Sequence, residues 1–106
     1  MATVELSDGD LQGVRELAVG DRLRIRLPEN PTTGYRWQLS LADSGGLCLV
    51  NDGFEPGSAS PLPGSSGHRV FELEARARGD VRVTAVNKRA WETTEQARHE
   101  LRVHVR

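Results

Sequence analysis

The chain of 106 residues holds a single cysteine, Cys48, so no disulfide can form within it. We therefore expect its stability not to depend on an oxidising compartment. An excess of charge of either sign is also lacking, because 14 basic and 15 acidic residues leave a net charge of −1. Since no run of Lys and Arg exceeds two residues, nucleic acid and anionic membranes are not expected as partners.

Long apolar runs are absent as well. No stretch approaches the roughly 18–20 apolar residues of a membrane span, and the N-terminus lacks the basic and apolar segments of a secretory signal. We expect a cytoplasmic location if the chain is complete, and a secreted or periplasmic one if a leader has been removed. The length suits one domain over residues 1–106, which can bury about 60–65% of its unfolded surface. We expect it to act as a monomer.

Helix-like patterns are scarce, whereas 11 glycines and 5 prolines punctuate the chain. This composition favours an all-β fold. From Arg22 to Leu27, leucine and isoleucine alternate with arginine, as in a strand with one buried face. Trp37 is in register with three other apolar residues and is predicted to lie in the core. Similar patterns predict seven to eight strands, near residues 3–6, 15–19, 22–27, 35–41, 47–50, 71–77, 81–85 and 101–105.

The connections between these strands fall into two groups. In an antiparallel sandwich the chain reverses at each connection, so alternate connections lie at the same end. Short turns are predicted at one end, at residues 20–21, 43–46 and 79–80, the last of them closing a hairpin. The other end should carry loops at residues 28–34, 56–67 and 87–97. Because long loops on a rigid sandwich are common binding sites, the sequence predicts a binding end made of three loops.

The first of these loops is predicted to be rigid. Pro31 fixes its own φ and pushes Asn30 toward extended geometry, while Gly34 can take a positive φ without strain. Thr32 and Thr33 are stiff at χ1, and their hydroxyls can bond to the backbone of the loop. A loop that is already ordered loses less entropy when it binds. The same residues are also common in ordinary turns between strands, so this stretch alone leaves both interpretations open.

The third loop contains Trp91 among charged and polar residues. Trp and Arg often dominate the binding energy of an interface, but a Trp in a loop can equally fold back onto its own core. Arg89, Lys88 and Glu92 are solvated charges by default. These residues alone therefore do not decide whether the third loop binds a partner.

Three segments of the chain form a recurring set in order along the sequence. They are Asn30-Pro31-Thr32-Thr33-Gly34-Tyr35, Gly64-Ser65-Ser66-Gly67 and Arg89-Ala90-Trp91-Glu92. Together they resemble the loop motifs of the chagasin-like inhibitors of papain-family cysteine peptidases, over about Val14 to Val105. The resemblance implies an immunoglobulin-like antiparallel β-sandwich that inhibits a papain-like cysteine peptidase reversibly and tightly. It implies no catalytic residue, no metal and no cofactor.

The resemblance also implies a role for each loop. The loop at Asn30 to Gly34 would lie over the catalytic cysteine of the peptidase. The loops at Arg89 to Trp91 and at Gly64 to Gly67 would bind the two sides of the cleft. The family usually has proline where Ala90 stands, and the freer φ should weaken binding by up to about 1 kcal/mol. It usually has glycine where Ser66 stands, which leaves open whether that loop makes a strand-like backbone contact.

Two other functions fit parts of the sequence. An enzyme could use Cys48 as nucleophile and His68, His99 or His104 as base, but Cys48 lies in an apolar run and shares no motif with a histidine. The histidines also lack the spacing of metal ligands, since His99 and His104 fall on opposite faces of a strand. An immunoglobulin-like adhesion or carbohydrate-binding module, with Trp91 as its platform, is the remaining alternative.

Overall fold

The computed structural model describes residues 2–42, 46–56 and 67–106. Within these ranges the chain forms eight strands and two short 3₁₀ turns, Asp8–Asp10 and Pro31–Thr33. The prediction of an all-β, immunoglobulin-like sandwich of seven to eight strands is confirmed. The strands are β1 (Thr3–Ser7), β2 (Val14–Leu17), β3 (Arg22–Glu29), β4 (Tyr35–Ala42), β5 (Leu47–Pro56), β6 (Gly67–Ala75), β7 (Gly79–Arg89) and β8 (Glu95–Val105).

The strands build two four-stranded sheets. The first sheet has the order β1-β3-β6-β5 and the second has the order β2-β8-β7-β4. Neighbouring strands are antiparallel except at two edges, where β1 runs parallel to β3 and β2 runs parallel to β8. The alternation of residues does not reveal these parallel edges, because it reports which face of a strand is buried and not which strand lies beside it.

The core lies between the two sheets. Leu23, Ile25 and Leu27 of β3 are fully buried, as the alternation predicts. Trp37, which was also predicted to be a core residue, is only 4% exposed. The second sheet contributes buried valines, namely Val81, Val83, Val103 and Val105. Because each such side chain contributes roughly 1.5–3 kcal/mol when buried, this core can hold the sheets together without a disulfide.

Two predicted connections differ in the structure. The segment Gly79-Asp80 does not close a hairpin, because β6 lies in the first sheet and β7 in the second. The long loop predicted at residues 87–97 is shorter, since β7 and β8 continue to pair as far as Lys88 and Glu95. The connection is therefore limited to residues 90–94.

Strand β3 also continues past Pro28 to Glu29, although the sequence predicts a strand over residues 22–27 and a loop from Pro28 onward. The pairing of β1 with β3 stops at Arg26. Since β3 has no partner on that side at Pro28, the missing N–H of the proline removes no bond between these strands. This small extension places a carboxylate, that of Glu29, directly below the first loop.

The connections gather at two ends of the sandwich, as the sequence predicts. At one end Glu29 pairs with Gly67, and Gly67 also pairs with Pro56. Tyr35, the first residue of β4, pairs with Arg89, the last residue of β7. All three predicted loops therefore leave from and return to this end. We call it the tip, and it comprises residues 30–34, Gly67 and residues 89–92.

The opposite end of the sandwich carries short turns. The Gly20 N–H donates to the Ala75 carbonyl at 2.7 Å, and the Arg76 N–H donates to the Gly46 carbonyl at 2.8 Å. In the described part of the chain, no helix is long and apolar enough to cross a bilayer.

Candidate functional site

The first loop of the tip is a closed unit held by its own side chains. The Asn30 side-chain oxygen accepts hydrogen bonds from the Thr32 N–H at 3.1 Å and from the Thr32 hydroxyl at 2.7 Å. The Thr33 hydroxyl donates to the Asn30 carbonyl at 2.8 Å and accepts from the Tyr35 N–H at 3.2 Å. The prediction that the threonine hydroxyls tie the loop together is confirmed, although Thr32 bonds to a side chain.

The backbone of this loop follows from its residue types. Asn30 is extended, with φ of −113°, as expected before a proline, and Pro31 starts a single 3₁₀ turn. Gly34 ends that turn with φ of 81°, in the left-handed region that favours glycine. The loop therefore presents a fixed convex backbone at the tip.

The third loop is a tight turn. The Glu92 N–H donates to the Arg89 carbonyl at 3.1 Å, which makes Ala90 and Trp91 the two central residues of a β-turn. The Trp91 side chain is 71% exposed, so it does not fold back into the core. Its ring instead lies over Gly34, where a Cβ added to the glycine would be only 2.6 Å from Cη2 of the indole.

Arg89 joins the first and third loops. Its Nε donates to the Thr33 carbonyl at 2.9 Å, and its guanidinium stacks over the Tyr35 ring, 4.3 Å from the centroid. It also lies 5.9 Å from the centroid of Trp91 and forms an ion pair with Glu92 at 3.1 Å. Arg89 therefore does more than carry a solvated charge, because it fixes the first loop against the third.

The second loop is described only at its flanks. Gly64, Ser65 and Ser66 lie outside the described residues, so the proposed role of this motif rests on sequence. Gly67 is the buried first residue of β6 and pairs with both Glu29 and Pro56. The flanks of the second loop therefore lie at the tip, beside the strand that leads into the first loop.

A buried ion pair lies directly below the tip. The Glu29 side chain is 2% exposed and the Arg69 side chain 11% exposed, and their closest nitrogen and oxygen are 2.8 Å apart. The second oxygen of Glu29 accepts the Trp37 backbone N–H at 2.9 Å. Arg69 also reaches Asp52 at 3.2 Å, and the hydrogen bond to Glu29 is the main cause of the raised pKa of Arg69.

Sequence reasoning missed this ion pair, although a signal was present. Glu29 continues the buried series of Leu23, Ile25 and Leu27 along β3. Arg69 stands in the equivalent inward series of β6. Two opposite charges that occupy inward positions of neighbouring strands indicate a buried ion pair, because neither charge would be buried alone.

The residues considered for catalysis do not form a site. The His99 ring stacks on Trp37 with the centroids 5.5 Å apart, and His104 Nδ1 lies 2.7 Å from Asp80. Among the residues that the structure describes, the half-buried Cys48 makes a weak contact, with its thiol 3.9 Å from the Leu49 carbonyl. Among the residues that the structure describes, no group of His, Cys, Asp and Glu is arranged to hold a metal ion.

Comparison of the sequence with known proteins identifies a family. The family described as Chagasin family peptidase inhibitor I42 matches residues 16–105. Chagasin of Trypanosoma cruzi is 31% identical over 80 residues, which span 71% of this chain and 71% of that protein. The family match therefore includes the first and third loops as well as most of the β-strands.

Solved structures share the fold. The cysteine protease inhibitor EhICP2 from Entamoeba histolytica superimposes with a TM-score of 0.87 at 21% identity, over 99% of this chain and 96% of that chain. PbICP-C, solved in complex with falcipain-2, gives a TM-score of 0.65 at 19% identity, over 98% of this chain and 91% of that chain. These structures have the same sandwich despite few identical residues.

The family match decides between the inhibitor and the enzyme. Its members are peptidase inhibitors, and the matched region covers all strands from β3 to β8. The protein is therefore an inhibitor and not an enzyme, and the chain belongs to the chagasin family of peptidase inhibitors.

Proposed function

We propose that the protein inhibits papain-family cysteine peptidases reversibly, by placing the tip in the active-site cleft. The observation that carries this proposal is the contact between the first and third loops. Arg89 bonds to the Thr33 carbonyl, and Trp91 covers Gly34, so both loops are held in one arrangement before any partner binds. Preorganised loops lose less conformational entropy on binding, which favours tight inhibition through a small surface.

The first loop has the shape needed to block a cleft that binds extended peptide. Its 3₁₀ turn, Pro31–Thr33, is convex and is closed by hydrogen bonds to Asn30. A turn of this kind cannot adopt the extended conformation of a peptide substrate without breaking those bonds. The loop would therefore cover the catalytic cysteine of the peptidase without being cleaved, and inhibition would need no covalent step.

The other two loops would bind the sides of the cleft. Trp91 offers a large exposed ring with a polar N–H, the residue type that most often anchors an interface. The segment Gly64 to Gly67 is the candidate for the opposite side, because both of its flanking strands end at the tip. Small residues there would let the backbone approach the peptidase closely.

Titration of papain with the protein tests the proposal. We expect activity to fall in proportion to the added protein, to reach zero near one equivalent and to return on dilution. Papain that stays fully active in excess protein would reject the proposal. A carbohydrate-binding module would leave papain active and would bind to a glycan array instead.

A further inference from the structure

Two basic side chains lie opposite each other beside the tip. Arg36 of β4 and Lys88 of β7 are paired in register, and neither belongs to the loop motifs. Arg36 is exposed and Lys88 is half-buried. Both line the same groove as Gly34 and Ala90, so they flank the residues that we propose to enter the cleft.

This pairing is unfavourable for the fold alone. Like charges directly opposite each other on neighbouring strands destabilise a sheet. The first sheet avoids the problem, because Arg22 lies 3.4 Å from Glu74 and Arg24 lies 2.8 Å from Glu55. Within the described ranges, Arg36 forms no hydrogen bond or ion pair with an acidic side chain.

Two acidic residues close to this pair are bonded to other arginines. Asp52 lines the same groove, but its carboxylate bonds to Arg69 at 3.2 Å. Glu95 pairs with Lys88 in the β7–β8 register, yet its two oxygens bond to Arg98 at 2.9 and 3.0 Å. That hydrogen bond is also the main cause of the lowered pKa of Glu95. In the described part of the chain, neither carboxylate therefore forms an ion pair with Arg36 or Lys88.

We infer that Arg36 and Lys88 form a basic shoulder that meets carboxylates on the rim of the peptidase cleft. The inference rests on the proposed function, and it adds a preference for papain-family peptidases with an acidic rim. Arg36 is two positions from Gly34, roughly 7 Å along the strand. A peptidase that binds the tip therefore lies close enough to Arg36 and Lys88 that salt does not fully screen their attraction for its carboxylates. Charges at the rim of an interface act mainly on the association rate.

The test compares a double variant, Arg36→Gln with Lys88→Gln, with the unchanged protein. Association and dissociation rates are measured for a panel of papain-family peptidases ordered by the number of Asp and Glu side chains on the cleft rim. At about 50 mM salt we expect the double variant to associate about 5–10-fold more slowly with the most acidic members. At about 500 mM salt the difference should fall below about twofold, because screening removes the attraction.

Arg102→Gln is the matched control. Arg102 is an exposed arginine that faces Arg82 on the same sheet, roughly 20 Å from Lys88 at the usual rise of a strand. We expect this variant to keep the association rate of the unchanged protein. The double variant should melt at the same temperature or higher, since it loses a repulsive pair. A lower melting temperature would contradict the inference, because the two side chains would then be structural.

The outcomes separate the two proposals. If the unchanged protein inhibits no member of the panel, the proposed function fails. If it inhibits them but the double variant associates as fast as the Arg102→Gln control at low salt, only the basic shoulder is rejected. Association rates that do not increase with the acidity of the rim would reject it as well.

Discussion

Two physical requirements meet at Gly34. Its φ of 81° lies in the left-handed region, where a residue with a Cβ is strained. A Cβ at this position would also lie 2.6 Å from Cη2 of Trp91, which is too close for two carbon atoms. The indole can therefore rest on the first loop only because this residue has no side chain.

We predict that Gly34→Val damages inhibition more than folding. The exposed loop and the indole can shift to relieve the clash, so the free energy of unfolding should fall by only about 1–2 kcal/mol. The displaced tip should weaken inhibition by about 2–3 kcal/mol, from the backbone strain together with the lost anchor. Inhibition constants and urea unfolding measure the two effects.

Gly20→Val is the control for this prediction. Gly20 also has a positive φ, 98°, but it lies at the opposite end of the sandwich and nothing surrounds its Cβ position within 4 Å. We expect it to lose stability and to inhibit normally. Normal inhibition by Gly34→Val would show that our description of the first loop is wrong.

Trp91→Ala should remove an anchor of the interface without affecting the fold. We predict that inhibition weakens by about 2 kcal/mol, or about 30-fold in the inhibition constant. Because the side chain is 71% exposed, the free energy of unfolding should change by less than about 0.5 kcal/mol. Val14→Ala, a change at an exposed residue paired with Arg102, should leave both quantities unchanged. An unchanged inhibition constant for Trp91→Ala would exclude this residue from the site.

At the scale of elements, the turn of the third loop has alanine at a position where proline would fit the backbone. Ala90 is the first central residue of the turn from Arg89 to Glu92, a position that favours proline. Arg89 ends β7 in an extended conformation, which is also what a following proline requires. The departure from the usual family pattern therefore does not reflect a different backbone.

We predict that Ala90→Pro strengthens inhibition by about 0.4–1 kcal/mol, because proline reduces the freedom of the unbound loop. The melting temperature should rise by a few degrees for a domain of this size. Inhibition constants and thermal unfolding check both expectations. Weaker inhibition would indicate that the loop must change its conformation on binding.

The strands illustrate what residue patterns predict and what they do not. Alternation predicted the inward faces of β3 and β4, because burial of one face repeats every second residue. It did not predict that β7 continues through Asn87 to Arg89, because that extension depends on pairing with Tyr35 and Trp37 of the neighbouring strand β4. The position at which a strand ends depends on the neighbouring strands with which it pairs. The sequence of one segment does not show which strands those are.

The residues of the candidate site also include some that the sequence predicts and some that it does not. The residues of the first loop were predicted from their conformational preferences, and the structure gives them the expected turn and bonds. The role of Arg89 was not predictable, because its contacts with Thr33 and Tyr35 join segments that are far apart in the sequence. Long-range contacts of this kind require the fold.

At the scale of the whole molecule, the tip is supported by both sheets. Glu29 belongs to the first sheet and accepts the N–H of Trp37 from the second. Arg69 links Glu29 to Asp52, so β3, β6 and β5 are also joined at this level. The position of the loops therefore depends on a buried charge cluster as well as on the loops themselves.

We predict that Glu29→Gln destabilises the protein by about 3 kcal/mol, because it leaves the buried Arg69 without its main carboxylate partner. It should also weaken inhibition, since the single carbonyl oxygen of a glutamine cannot accept both from Arg69 and from the Trp37 N–H, and the contact between β3 and β4 at the base of the first loop is weakened. Glu74→Gln is the control, because its ion pair with Arg22 is partly exposed, contributes little and lies at the opposite end of the sandwich. Replacing the pair together, Glu29→Leu with Arg69→Met, should cost less stability than the two single changes combined, and yet leave inhibition weak. Urea unfolding measures the stability of each variant, and titration of papain measures its inhibition. Recovery of full inhibition by the double variant would mean that the ion pair stabilises the sandwich without positioning the tip.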